Sequence, residues 1–478
     1  MKPLFIVSTS HYLRKREVKI GDVIMSTNKS GKNFGSRFGY IMVAAGAAIG
    51  LGNIWKFPYV AYGDGGGTFL IIYIILAVLM GQPGVLIETA VGRHSRANAV
   101  DAYGNIKKGW GFLGAINVIC TTMIDFYYMI VSGYVVKYAI AYATGAHFGS
   151  DKAAYYDAFI SDPVEPLLYG FGVILVTCVI LGFGITDKVE KICKVILPAL
   201  LVLLIICGVW ALLISPGAID GLKWYLVPDV SKLNTTTVAD ACMQVLFSVG
   251  IGWAIFITLG ASIPDENNLR KDSSWVVICD SAIAILAGFV IIPSVVGAGS
   301  EMASGPSLVF MAMTSIFEQF PGGKIIGFLF FMSLVFAVFS TAFTIMEIPM
   351  KVVREKFSVK SWTAVIVVGS IVFIGGIFAS LSQGHGLLSN VMLPWLDFSG
   401  LHHYCIYDWL DVFSGYVLLP GGTFLTAIFV SRIWGWDNLN AEITKGGGRP
   451  VNKWDKFTIG WAIPICTLVV IAHAFGLF

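Results

Sequence analysis

Apolar positions in this chain form long unbroken runs, without the alternation of a half-buried strand or the 3.6-residue stripe of a soluble helix. Runs of about 20 residues or more, enough to cross a hydrocarbon layer, lie near residues 38–62, 67–91, 110–145, 166–186, 192–214, 239–263, 275–298, 324–350, 361–381, 408–434 and 457–478. The pattern predicts an all-α polytopic membrane protein with about 11 transmembrane helices. Two runs are broken. The first carries GAAIGLGN at residues 46–53, and the sixth carries FSVGIGWA at 247–254, some 201 residues later.

Unwound backbone in lipid leaves amides and carbonyls without partners. It is tolerated where it lines a cavity, and the half-helix ends then turn dipoles and bare carbonyls on a ligand. Close helix packing through Gly46-x-x-x-Gly50 and Gly250-x-Gly252 is the alternative, but the matched positions, with Asn53 following the first, favour paired breaks. Spans one to five and six to ten then form a 5+5 inverted repeat, roughly 34–214 and 239–434, within a core 34–434. A tail 1–33 precedes it, with Met25 an alternative start, and a loop 435–456 and a further span 457–478 follow.

Composition agrees: 56% of residues are hydrophobic, 13% are charged and 53 are glycine, with mean hydropathy +0.78. A cytoplasmic N-terminus puts 26 of the 32 Lys and Arg on the inner side, as the positive-inside rule requires. The expected location is therefore the inner (plasma) membrane, with the tail and the 435–456 loop cytoplasmic. No cleavable signal is expected, because the N-terminal basic cluster follows a very short apolar patch. The eight cysteines lack CxxC spacing and, Cys405 apart, lie in apolar runs, which reads as free buried thiols. His402 and His403 read as loop polarity, since no zinc-ligand spacing accompanies them.

The run GSRFGYIMVAAGAAIGLGNIWKFPYVAYGDGGGTFLIIY, with PGVLIETAVGR after it, resembles the neurotransmitter:sodium symporter family in its bacterial amino-acid-transporter branch. DFYYMIVSGY, QVLFSVGIG, AVFSTAFTIMEIP and YDWLDVFSGYVLLPGG extend the resemblance over roughly residues 34–434. It implies sodium-coupled symport of an amino acid by alternating access, with two sodium ions and a substrate site midway across the bilayer. Nothing in it implies a nucleic-acid partner, a catalytic residue or an enzyme, and it leaves the oligomeric state open.

Residue by residue, the resemblance implies a second sodium site from the carbonyls of Gly46, Ile49 and Ala337 and the hydroxyls of Ser340 and Thr341. A first sodium site would use Ala48, Asn53, Ser248 and Asp280, completed by the substrate carboxylate. The amides of Leu51 and Gly52 and the hydroxyl of Tyr128 would hold that carboxylate, while carbonyls of Ala48, Phe247 and Ser248 meet the ammonium. Ile124, Tyr128, Phe247, Gly250, Trp253, Thr341 and Ile345 would surround the side chain. None of these is charged, which favours a neutral, apolar substrate. Gly50 stands where monoamine carriers have an aspartate, so the substrate must bring its own carboxylate.

Lys56 with Asp411 would be the outer gate, Phe247 with Tyr128 an aromatic lid, and Glu88 a brace for the unwound sixth span. At the inner gate Phe34 replaces the usual tryptophan, leaving Lys32 or Arg37 to approach Glu355. Tyr73, Gln244 and Ser248 match three chloride ligands, whereas Asp280 and Ala284 replace the other two, which implies a chloride-independent carrier. A proton-coupled amino-acid permease of similar fold and a transporter-like amino-acid sensor are the alternative readings; an intramembrane enzyme lacks its catalytic constellation.

Overall fold

The computed structural model describes residues 33–299, 302 and 305–477; Met25, Lys32 and nearly all of the predicted tail lie outside them. The unit Phe34–Phe478 is described below.

The first apolar run starts where Ser36 caps a helix, its hydroxyl accepting the Gly39 amide at 3.0 Å. Helix α1 (Arg37–Ala48) stops at the glycine-rich break, and Ile49 leaves helical geometry with ψ 88°. The chain resumes in a wide turn, Gly52–Lys56, and continues as α2 (Phe57–Gly63), bent by 57° from α1. Pro58 sits in the first turn of α2, directly after the wide turn.

Helices α3 (Gly67–Leu76) and α4 (Gln82–Ser95) join as one span, followed by α5 (Gly111–Thr144), α6 (Glu165–Gly182) and α7 (Glu190–Ile214). The sixth run divides into α8 (Thr235–Val249) and α9 (Ile255–Gly260). Between them Gly250 (φ +81°) and Gly252 (φ +86°) adopt left-handed geometry that glycine takes without penalty. Ala254 joins them at φ +63°, a cost of about 1–2 kcal/mol for a residue with a Cβ.

Helices α10 (Leu269–Gly297), α11 (Gly323–Lys356) and α12 (Ser361–Leu381) follow, then α13 (Ile406–Phe413) running on into α14 (Leu419–Ile428). Short helices α15 (Trp436–Ile443) and α16 (Lys453–Phe457) lead to α17 (Ile463–Ala474). Among the described residues nine helices are long and apolar enough to cross a membrane, or ten with the bent α1–α2 pair. The eleven runs of the sequence reading exceed this because α8 and α9, with 15 and 6 residues, are each too short.

The interior is built on the broken helices. Helix α1 packs against α7, α10 and α11, and α9 lies on α4. Side chains such as Ile71, Ile75, Val202 and Ile366 stay exposed on the outer faces of the spans, as contact with lipid requires.

One element departs from the all-helical expectation. Strands β1 (Met392–Asp397) and β2 (Gly400–Cys405) form an antiparallel hairpin, in register from Met392↔Cys405 to Asp397↔Gly400. It docks on the end of α17: the Phe398 amide donates to the Phe475 carbonyl at 2.8 Å, and Trp395 stacks on Phe475. His402 lies in this hairpin, with Nε2 3.2 Å from Asp397 Oδ1.

Candidate substrate and ion sites

The break in α1–α2 gathers buried polar atoms from separate elements. Asn53 donates from Nδ2 to Ser248 Oγ at 2.8 Å and to Asp280 Oδ1 at 2.7 Å. Ser248 donates to the same carboxylate at 2.9–3.0 Å, and the Tyr73 hydroxyl reaches Asp280 Oδ2 at 3.4 Å. Asn53 and Asp280 are fully buried and Ser248 nearly so. A carboxylate held this way is a fixed anion in a low-dielectric site, able to accept a small hard cation or a proton. The Asn53 amide oxygen faces inward along the break, accepting the Gly50 amide at 3.1 Å. Gln244 donates to the Gly52 carbonyl at 3.4 Å, and Ala284 is buried.

A second oxygen cluster lies where α1 ends against α11. Thr341 Oγ1 donates to the carbonyls of Gly46 at 3.2 Å and Ile49 at 3.1 Å, and Ser340 Oγ to the Ala337 carbonyl at 2.9 Å. Three carbonyls and two hydroxyls thus share one dry corner, with no formal charge among them. That is a donor set suited to a monovalent hard cation.

Between the clusters is a small cavity of about 20 Å³. Ala48, Leu51, Gly52, Tyr128, Phe247, Gly250, Trp253 and Thr341 line it, together with Gly50 and Asn53. Ile124 and Ile345 are buried but do not line it, nor does Ser248, whose hydroxyl is turned to Asp280. Ala47 and Ile255 line it instead; Ile255 begins α9, a position reached only once the break is followed by a new helix. A Cβ added to Gly50 would stand 3.1 Å from Thr341 Oγ1 and 3.6 Å from the Tyr128 hydroxyl. That hydroxyl is buried beside the Thr341 hydroxyl and the Leu51 amide, and makes no well-formed hydrogen bond among the described residues.

Phe247 packs edge-on to Trp253, centroids 5.3 Å apart. Phe247 and Tyr128, expected to form an aromatic lid, both line the cavity, and Trp253 joins them there. The turn is held from outside: Glu88 Oε1 accepts the Gly252 amide at 2.7 Å, and Thr121 donates to the Trp253 carbonyl. Thr121 carries no sequence signal, being one hydroxyl in an apolar span.

The charged gates differ from expectation. Lys56 and Asp411 form no ion pair among the described residues. The Lys56 ammonium lies over the rings of Phe247 (4.8 Å) and Tyr416 (5.4 Å), and Asp411 accepts the Tyr127 hydroxyl at 3.0 Å. Ring faces attract the ammonium electrostatically and so hold Lys56 without a carboxylate partner. At the other end Arg37 pairs with Asp272 at 2.6 Å, not with Glu355. Helix α1 packs beside the start of α10, which puts Asp272 within its reach. Glu355 instead accepts the amide and side chain of Asn98 at 2.8 and 3.0 Å. Phe34 is buried edge-on against Tyr40.

A further ionic cluster lies beyond the membrane-spanning part of α4. Arg93, with its side chain fully buried, bonds Glu442 on α15 at 2.7 Å, and His94 and Lys445 approach the same carboxylate. Burial raises the Glu442 carboxyl, but bonds from His94, Lys445 and Arg93 outweigh it and hold it at about 2, below the ordinary 4.5.

Comparison with known proteins places this arrangement. The profile of the Sodium:neurotransmitter symporter family matches residues 31–147 and 167–477. The chain is 29% identical over 453 residues to a protein of Bacillus subtilis described as the uncharacterized sodium-dependent transporter YhdH, covering 92% of this chain and 97% of that one. It is 31% identical over 423 residues to an uncharacterized sodium-dependent transporter of Haemophilus influenzae, covering 85% and 90%. Its fold matches the crystal structure of MhsT in complex with L-phenylalanine with a TM-score of 0.84 and 30% identity, over 93% of this chain and all of that one. With two buried oxygen clusters beside paired helix breaks and these matches, the chain belongs to the sodium:neurotransmitter symporter family, as a sodium-dependent symporter of the membrane and not an enzyme.

Proposed function

We propose that the protein imports a neutral, apolar amino acid together with two sodium ions by alternating access, without chloride, across the inner (plasma) membrane with its N-terminus in the cytoplasm. The observation that carries the substrate class is Gly50 beside the buried hydroxyl of Tyr128, which makes no well-formed hydrogen bond in the cavity wall. The cavity wall offers a donor and no acid at this point. A ligand must therefore bring its own carboxylate, which Tyr128 and the amides of Leu51 and Gly52 then receive. The bound L-phenylalanine of MhsT supports an apolar side chain. The 20 Å³ cavity has room for about one water, so Phe247 and Trp253 move aside to admit a substrate.

In this reading Thr341, Ser340 and the carbonyls of Gly46, Ile49 and Ala337 hold one sodium ion. Asn53, Ser248, Asp280 and the Ala48 carbonyl hold the other beside the substrate carboxylate. To turn its oxygen to the ion, Asn53 rotates its amide and releases the Gly50 N–H, which links ion binding to the backbone that receives the substrate. Asp280 offsets one unit of the positive charge that two sodium ions and a zwitterion bring into a low-dielectric site, and it takes up a proton when the empty carrier returns. Lys56, seated over the rings of Phe247 and Tyr416, covers the outer side, and Glu88 braces the sixth span.

Uptake of radiolabelled amino acids into proteoliposomes tests the reading. Neutral apolar amino acids accumulate under an inward sodium gradient and compete with one another, whereas tryptamine and phenethylamine do not compete. Equal competition by the amines, or accumulation unchanged when choline replaces sodium, overturns it; the second outcome favours the proton-coupled alternative, and binding without accumulation the sensor.

A further inference from the structure

A groove of 640 Å³ that shares no lining residue with the substrate cavity lies where α10 meets the π-turn between α3 and α4 and the segment joining α15 to α16. Its wall has two chemically distinct ends. Lys271 and Arg449, both exposed, stand at one end with Gly447. Val78 and Ile278, 54% exposed each, lie at the other, and Trp275 and Trp454 sit between and beside them.

The geometry is fixed by the fold. Arg270 holds the joining segment in place: it is bidentate to Asp455 at 2.7 Å on both arms and donates to the Arg449 carbonyl at 2.9 Å. Asn268 donates to the Gly447 carbonyl at 3.0 Å. These bonds also settle the charge. Arg270 is neutralised by Asp455, and the neighbouring Asp272 by Arg37. Lys271 and Arg449 have no acidic partner among the described residues, so the groove end carries two uncompensated positive charges.

Along α10, Lys271, Trp275 and Ile278 are spaced four and three residues apart and so share one face. The distance from Lys271 to Ile278 along the axis is about 10 Å at 1.5 Å per residue. Over that length the surface passes from cation, through an aromatic residue of the kind enriched at membrane interfaces, to exposed aliphatic side chains. That is the profile of a phospholipid from its phosphate to its first acyl carbons. Lys271 and Arg449 also belong to the inner loops that hold most of the chain's basic residues.

We infer that this groove is a binding site for one anionic phospholipid, with the phosphate between Lys271 and Arg449 and the acyl chains against Trp275, Ile278 and Val78. The occupant is a bilayer lipid and not a soluble phosphate, because more than half of the described groove is an apolar surface that only acyl chains would cover. Basic pockets between transmembrane helices hold anionic headgroups on these grounds.

Native mass spectrometry of the full chain tests the site, using phosphatidylglycerol and phosphatidylcholine of matched acyl chains. Three proteins are compared: the parent, a Lys271→Gln/Arg449→Gln variant, and a control, Lys107→Gln/Lys108→Gln, that removes two other exposed cations from an inner loop. One lipid is retained by the parent and the control with a preference for phosphatidylglycerol on the order of 10-fold, the scale of two basic contacts with an anionic surface. The preference falls below about 2-fold in the groove variant. All four substituted positions are exposed, and equal melting temperatures in lipid-free detergent establish that the variants fold. Bromine-labelled phosphatidylglycerol quenches the parent more than Trp275→Phe. An undiminished preference in the groove variant, its loss in the control, equal quenching in Trp275→Phe, or displacement of the lipid by glycerol 3-phosphate each overturns the inference.

Discussion

Glu88 on the second span accepts the backbone N–H of Gly252, in the break of the sixth, at 2.7 Å, with both residues fully enclosed. An acid deep in a membrane span is expensive, and here it satisfies a backbone donor that the helix itself has given up. Glu88→Ala leaves that donor unpaired, at a cost on the order of 1–3 kcal/mol. The expected outcome is a lower melting temperature and slowed uptake, with Glu88→Gln, which retains an acceptor oxygen, closer to the parent. An alanine variant that melts and transports like the parent excludes the brace.

Replacing Ser340 and Thr341 together by alanine removes two of five oxygens from the corner between α1 and α11. The half-saturating sodium concentration for uptake rises at least about 10-fold, the factor that 1.4 kcal/mol represents, while the protein remains folded by circular dichroism. Unchanged sodium activation in the double variant removes this ion site.

Transport by the parent is expected to be the same in chloride and in gluconate, because Asp280 supplies a fixed negative charge. Asp280→Asn with Ala284→Ser removes the charge and adds a hydroxyl, and its uptake becomes stimulated by chloride. Chloride dependence of the parent, or a double variant equally active in both anions, counts against Asp280 as the stand-in.

Glu442→Gln leaves the buried guanidinium of Arg93 without its anion. Breaking a buried pair from one side costs on the order of 3–5 kcal/mol, so the variant melts well below the parent at pH 7. The Glu442 carboxyl sits at about 2 in the fold against 4.5 ordinarily. A depressed acid contributes stability that is complete above about pH 4.5 and lost as pH falls toward about 2. A pH series of melting temperatures reads this as a gap between parent and variant that is open above about pH 4.5 and closes as pH falls toward about 2.

Positions set by backbone rules were legible before any coordinates. The glycines of GAAIGLGN and FSVGIGWA announce the two breaks, and the acid at Glu88 in an apolar run announces a functional contact. The meeting of Asn53, Ser248 and Asp280 was carried by family resemblance, since no spacing rule joins residues 53, 248 and 280. Charge pairing was not legible. Arg37 had several acids to choose from, and only the packing of α1 beside α10 selects Asp272 over Glu355. Lys56 settles over Phe247 and Tyr416 because ring faces compete with a carboxylate for an ammonium, a choice that depends on local geometry. The β1–β2 hairpin is stabilised by docking on Phe475, some 70 residues beyond it, and a local pattern carries no trace of so distant a partner.

Thr341 belongs to two places at once, bonded to the carbonyls of Gly46 and Ile49 and forming part of the cavity wall beside Gly50. If an ion takes those carbonyls, the hydroxyl reorients, and the wall that a substrate meets changes with it. Free-energy coupling between two ligands is reciprocal, so whatever factor sodium adds to the affinity for an amino acid, the amino acid returns to sodium. On the proposed reading, this one shared atom ties the two occupancies together: an ion binding alone, or a substrate binding alone, forgoes the part of its own affinity that depends on the other.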